Sequence, residues 1–86
     1  MVTKQQMSAI KEIAGRIAWD NLWHYQDQAN RTIVFVIEVG LGRTVSRWHL
    51  SKLVEGIEEV LGPGQSFVLE GVEDTSPDTW LAMQPL

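Results

Sequence analysis

Apolar residues recur at three- and four-residue spacing near the start of the chain: Met7, Ile10, Ile13, Ala14, Ile17 and Ala18. That period predicts an amphipathic helix from Thr3 to about Gln28, uninterrupted by proline and stopped near Asn30. Gly15 lies inside the stretch, where it costs up to about 1 kcal/mol relative to alanine and offers a bend. The period then changes. Thr32 to Val39 is a β-branched and aromatic run closed by Gly40-Leu41-Gly42, the signature of a strand. Ile33, Phe35, Ile37 and Val39 point one way, Val34 and Val36 the other, so this strand is expected to be central and covered on both sides. Helices supply one cover in this reading and a second chain the other.

Helical spacing returns with Leu50, Leu53, Val54, Ile57, Val60 and Leu61. Ser46 offers an N-cap, Val45 a staple onto Leu50, and Gly62-Pro63-Gly64 a stop. Phe67 to Val72 reads as a second strand, Thr75 to Asp78 as a turn, and Thr79 to Gln84 as a third strand closing a hairpin. The expected fold class is therefore α+β. One small domain over residues 1–86 has the order α-β-α-β-β and a three-stranded mixed sheet packed by two helices. Its central β-α-β unit would place two strands parallel.

Length and composition narrow the functional classes. A chain of 86 residues accommodates one domain. It has no cysteine, so neither a disulfide nor a thiolate enters the chemistry. The polar N-terminus carries no apolar signal segment, and Ile33–Ile37 is the longest apolar run, far below the roughly 20 residues that span a bilayer. The corresponding expectation is a soluble, cytoplasmic protein with no membrane association.

Charge is segregated. Residues 1–52 hold all 7 Lys and Arg with 4 Asp and Glu, whereas residues 53–86 hold 7 Asp and Glu and no base. An acidic half opposes binding to phosphate backbones, and it suits a partner with a basic face.

Large aromatics off the apolar stripes are the most informative positions. On the long first helix, Trp19 and Trp23 fall opposite the stripe, beside Glu12, Gly15 and Arg16. On the second helix Trp48 falls off the stripe beside Lys52, Glu55 and Glu59. Tryptophan dominates the energetics of protein interfaces, so Trp19, Trp23 and Trp48, with Arg16 and Arg47 beside them, are the candidate partner-binding residues. Ordinary packing, through a bend at Gly15, is the competing explanation.

Candidate chemistry is thin. The loop Gly40-Leu41-Gly42-Arg43-Thr44-Val45 joins a strand to a helix, the context in which backbone amides cradle anions. Val45 replaces the third glycine of the dinucleotide fingerprint, so no nucleotide cofactor is expected. Gly40, Gly42, Arg43 and Ser46 remain a weak anion site. Asp20, His24 and Asp27 recur at helical spacing, yet one histidine with two carboxylates makes a poor metal site. No nucleophile–base pair is recognisable, so no catalytic residue, metal or cofactor is assigned.

The sequence thus favours a small non-enzymatic interaction domain that docks on a protein partner or on a second copy of itself as a homodimer. Two other readings are a nucleic-acid-binding module using the helix from about residue 47, and an acidic mimic that inhibits a nucleic-acid-handling protein. The strand that precedes the second helix argues against a helix-turn-helix arrangement.

Overall fold

The computed structural model describes residues 2–16, 21–38 and 46–86. Helix α1 (Lys4–Gly15) starts at Thr3, whose side chain accepts from the Gln6 amide at 3.1 Å while Gln6 Oε1 accepts from the Thr3 amide at 2.9 Å. This reciprocal box satisfies two donors that a helix start otherwise leaves unpaired. The helix ends at Gly15, with Arg16 as its cap, well short of the Gln28 expected from periodicity. Residues Asn21–Asp27 form strand β1 instead. Trp, His and Tyr lose side-chain freedom in helices and pack well on a pleated surface, and all seven residues find a partner in the next strand.

That next strand, β2 (Thr32–Glu38), runs antiparallel to β1, with Asn21 opposite Glu38 and Asp27 opposite Thr32. The hairpin turns through residues 28–31. Asp27 accepts from both the backbone and the side-chain amide of Asn30, the latter at 2.9 Å, and Arg31 takes φ 51° to reverse the chain. Asn30 thus marks a hairpin, not a helix end.

Helix α2 (Arg47–Leu61) begins at the expected Ser46 cap and ends at Gly62, whose φ of 70° favours glycine. It returns the chain so that β3 (Ser66–Gly71) lies parallel to β2, Val34 opposite Val68. The central β-α-β unit is as the sequence implies. The segment after it is not. Val72–Asp74 forms a 3-10 turn, Pro77–Trp80 a short helix α3, and only Gln84–Pro85 is strand, β4. Pro77 sits where a helix start tolerates its missing N–H, which turns the chain helical where a third strand was expected. β4 then pairs with β1, not with β3, so the sheet has four strands in the order β3-β2-β1-β4. The α+β class stands; the three-stranded sheet and the C-terminal hairpin do not.

Both long helices lie on one face of the sheet. Ile10 and Ala14 of α1, Ile33 and Phe35 of β2, and Leu53, Ile57 and Leu61 of α2 form the buried core. Phe67 meets Phe35 edge-to-face at 6.1 Å between ring centres, a favourable quadrupole arrangement. The helices touch at Gly56, where Ile13 fills the space a side chain would take, and Gln6 donates to the Val60 carbonyl at 3.3 Å.

Strand alternation sends Trp23, Tyr25, Val34, Val36, Val68 and Glu70 to the opposite face. There the Tyr25 hydroxyl donates to Glu70 Oε2 at 3.4 Å, reaching across β2 from one neighbouring strand to the other. The Thr75 hydroxyl lies 3.4 Å from the same oxygen and 3.2 Å from the Gly71 carbonyl. Beneath this bridge Val34 and Val36 are almost fully buried, at 3% and 0% exposure. The second face of β2 is therefore covered from within this one chain.

Candidate interaction surface

Among the described residues, the first turn of α2 carries the most exposed tryptophan. Ser46 caps the helix by accepting from the His49 amide at 3.2 Å, and its hydroxyl lies 2.6 Å from His49 Nδ1. This double contact holds the imidazole against the helix start. The Trp48 indole stands edge-on to that imidazole, 5.2 Å between ring centres. From the next turn, the Lys52 ammonium lies 5.7 Å from the indole ring centre, a cation–π contact, and also pairs with Glu55 at 3.5 Å. Trp48 remains 63% exposed.

The reason is rotational. Leu53, Ile57 and Leu61 define the buried stripe, and Trp48 lies half a turn away from it. Its position off the stripe is thus as the sequence implies, and His49 and Lys52 hold it in a defined setting. Arg47 and Lys52 are exposed beside it, and the helix N-terminus adds partial positive charge. The result is an apolar plate bordered by Arg47 and the Lys52–Glu55 pair on a chain whose net charge is −4.

The other candidates are dispersed. Trp23 lies on β1, not on a helix, and is half-buried on the outer face of the sheet, away from Trp48. Trp19 falls outside the described residues. Arg16 caps α1 and forms an exposed ion pair with Glu12 at 2.9 Å, which contributes little in water. The surface expected from Trp19, Trp23 and Arg16 on one helix therefore does not form as drawn, because Trp23 belongs to a strand. Gly40, Gly42 and Arg43 of the glycine loop, and Val45, also lie outside the described residues. Ser46 spends its side chain on the helix cap.

Of the proposed acid–histidine cluster, Asp20 is outside the described residues, Asp27 holds the hairpin turn, and His24 lies on β1. Among the described residues no group of three or more His, Asp or Glu side chains converges as a metal site. No helix among them is long and apolar enough to cross a membrane. His24 instead borders a cleft of about 350 Å³ on the helix side of the sheet, between Val2 and Met7 at the start of α1 and Gln84 of β4. Burial there disfavours the charged imidazole and lowers its pKa below the ordinary value.

Two features escaped the sequence reading. Trp80 and Leu81 are exposed, at 50% and 94%, because the short helix α3 carries them off the sheet. The Tyr25–Glu70–Thr75 bridge joins residues 45 and 5 positions apart, so no local pattern announces it. Pro77 is the one sequence signal that bears on the first.

Set against protein-family models, characterised proteins and solved structures, the chain matches none of them.

Proposed function

We propose that this chain is a non-enzymatic interaction domain that docks on a protein partner through the Trp48 indole at the start of α2. The observation that carries this reading is the exposed indole held by His49 and Lys52 on a helix whose opposite stripe is buried. An aromatic side chain buries roughly 150–250 Å². At about 25 cal/mol per Å², covering the exposed fraction of Trp48 is worth roughly 2–4 kcal/mol before ordering costs. That is the size of an interface anchor. Two χ angles and two neighbouring groups, the His49 ring and the Lys52 ammonium, keep the ordering cost small.

The margin of the indole specifies the partner's chemistry. Arg47, Lys52 and the helix N-terminus complement an apolar socket rimmed by carboxylates or backbone carbonyls. The seven carboxylates after Lys52 disfavour nucleic acid and acidic protein surfaces elsewhere on the chain, and Glu55, the one beside Trp48, is paired with Lys52.

The test is photo-crosslinking in the source cells. Benzoylphenylalanine in place of Glu55, two turns from Trp48 on the same face, is expected to give a discrete protein adduct. Trp48→Ala in the same chain should abolish it while far-UV circular dichroism stays unchanged. An adduct that persists at full yield in the Trp48→Ala chain overturns the reading.

A further inference from the structure

We infer that the outer edge of β3 pairs with β3 of a second copy of this chain, making one continuous sheet across a two-fold axis. This surface shares Arg47 with the margin of the Trp48 indole but does not use the indole, and the inference stands without the partner reading. Three observations lead to it.

The first is the state of the edge. Among the described residues β3 has β2 as its only strand neighbour, so no described strand pairs with the outer side of Ser66–Gly71. Proteins usually blunt such an edge with lysine, proline, a bulge or brevity. The opposite edge conforms: β4 is two residues long and contains Pro85. β3 has six residues, Ser-Phe-Val-Leu-Glu-Gly, without lysine, arginine or proline, and Val68 is 45% exposed. Its single charge, Glu70, is drawn inward over β2 by Tyr25 and Thr75.

The second is register. An antiparallel pair centred on Val68 sets Val68 against its own copy, Phe67 against Leu69, and Ser66 against Glu70. Apolar meets apolar on both faces, and Ser66 stands opposite Glu70, whose carboxylate stays turned inward to Tyr25 and Thr75. Centring on Leu69 would set Glu70 opposite the apolar Val68 and Phe67 opposite Gly71, so the alternating pattern selects Val68.

The third is the flank of α2. Gly56 and Val60 face α1, and α1 lies toward the β1–β4 side, where Val2 and Met7 share a cleft with His24 and Gln84. The flank of α2 turned away from α1, toward the β3 edge, carries Arg47, Ser51, Val54 and Glu58, spaced four, three and four residues apart along one side. A two-fold axis through Val68 runs the two α2 helices antiparallel. Arg47 of one copy then approaches Glu58 of the other, twice, with Ser51 and Val54 between them. Charge, polarity and position are self-complementary, as a two-fold interface requires.

Sedimentation velocity on the 86-residue chain, run up to about 0.3 mM because an edge-pairing interface lies at the small end of the stable range, tests this. Reversible dimers are expected. Val68→Lys, which sets two ammonium groups face to face, should leave only monomer with an unchanged circular dichroism spectrum. Arg47→Glu should weaken the dimer at least tenfold, and adding Glu58→Arg should restore it. A chain that stays monomeric throughout, or a dimer indifferent to Val68→Lys and to the charge swap, overturns the inference. Trp48→Ala should leave the dimer unchanged, which separates this result from the partner reading.

Discussion

The contact between the two long helices yields a quantitative expectation at Gly56. A Cβ placed there falls 2.8 Å from Ile13 Cγ2 and 3.1 Å from Cδ1, whereas carbon atoms prefer roughly 3.5–4.0 Å. Cδ1 can swing away. Cγ2 cannot, because a β-branched side chain inside a helix is held to one χ1 rotamer. Gly56→Ala must therefore separate α1 from α2 or strain Ile13. Overpacking of this kind costs about 1–3 kcal/mol, and alanine returns about 1 kcal/mol of helix propensity. The expected outcome is a net loss of about 1 kcal/mol in urea denaturation followed by circular dichroism. Gly15→Ala is the internal control, since a Cβ there meets nothing within 4 Å; it should be neutral or stabilising. In an Ile13→Ala background the obstruction is gone, and Gly56→Ala should change sign and stabilise. A Gly56→Ala protein as stable as the parent, or a loss that persists unchanged in the Ile13→Ala background, would refute the close α1–α2 approach.

Other outcomes follow from the caps and the titrating groups. Ser46→Ala removes the α2 cap and the hydroxyl beside His49, and should cost about 1 kcal/mol in the same assay. His24 has a lowered pKa because burial disfavours its charged form. The stability it contributes is present above the ordinary histidine value of 6.5 and is lost as pH falls through the folded value, so His24→Leu should lessen the loss of stability on acidification. Tyr25, the single tyrosine, has its pKa raised by burial first, then by the Glu70 charge and hydrogen bond and by Asp27. Its contribution is complete below the ordinary value of 10.0 and disappears as pH rises through the folded value. Absorbance at about 295 nm, where phenolate absorbs, should show ionisation above the ordinary tyrosine pKa of about 10 in the folded protein. A midpoint at or below that value would contradict the bridge to Glu70.

Strong, local patterns were legible in the sequence. The apolar stripe of α2, its Ser46 cap and its Gly62 stop all sit within the helix's own residues, and so does the displacement of Trp48 from that stripe. The unbroken run Ile33–Ile37 announced a central strand, because both faces of that strand are apolar. Misreading began where one apolar spacing suits two structures. No proline interrupts residues 16–27, so the helix is expected to run through them, yet Leu22, His24 and Gln26 take one face of β1 and Trp23 and Tyr25 the other once β2 is available to pair with. That pairing is a tertiary contribution which local spacing does not contain. The C-terminal segment failed for the opposite reason. Ser76-Pro77-Asp78 is a helix-start signal, and it outweighs the strand-like composition after it. Trp23 accordingly moved from a supposed helical anchor to the outer face of the sheet, whereas Trp48 kept its place.

Docking through Trp48 requires the indole to stand in water beside Lys52 while the sheet and core hold the fold. Fluorine NMR of the chain labelled with 5-fluorotryptophan measures this directly. The Trp48 resonance is assigned by its loss in Trp48→Phe. It is expected to show a large shift between H2O and D2O and to move when Lys52→Met removes the ammonium near the ring. A Trp48 signal with no solvent-induced shift, dispersed as a core indole would be, contradicts the central claim.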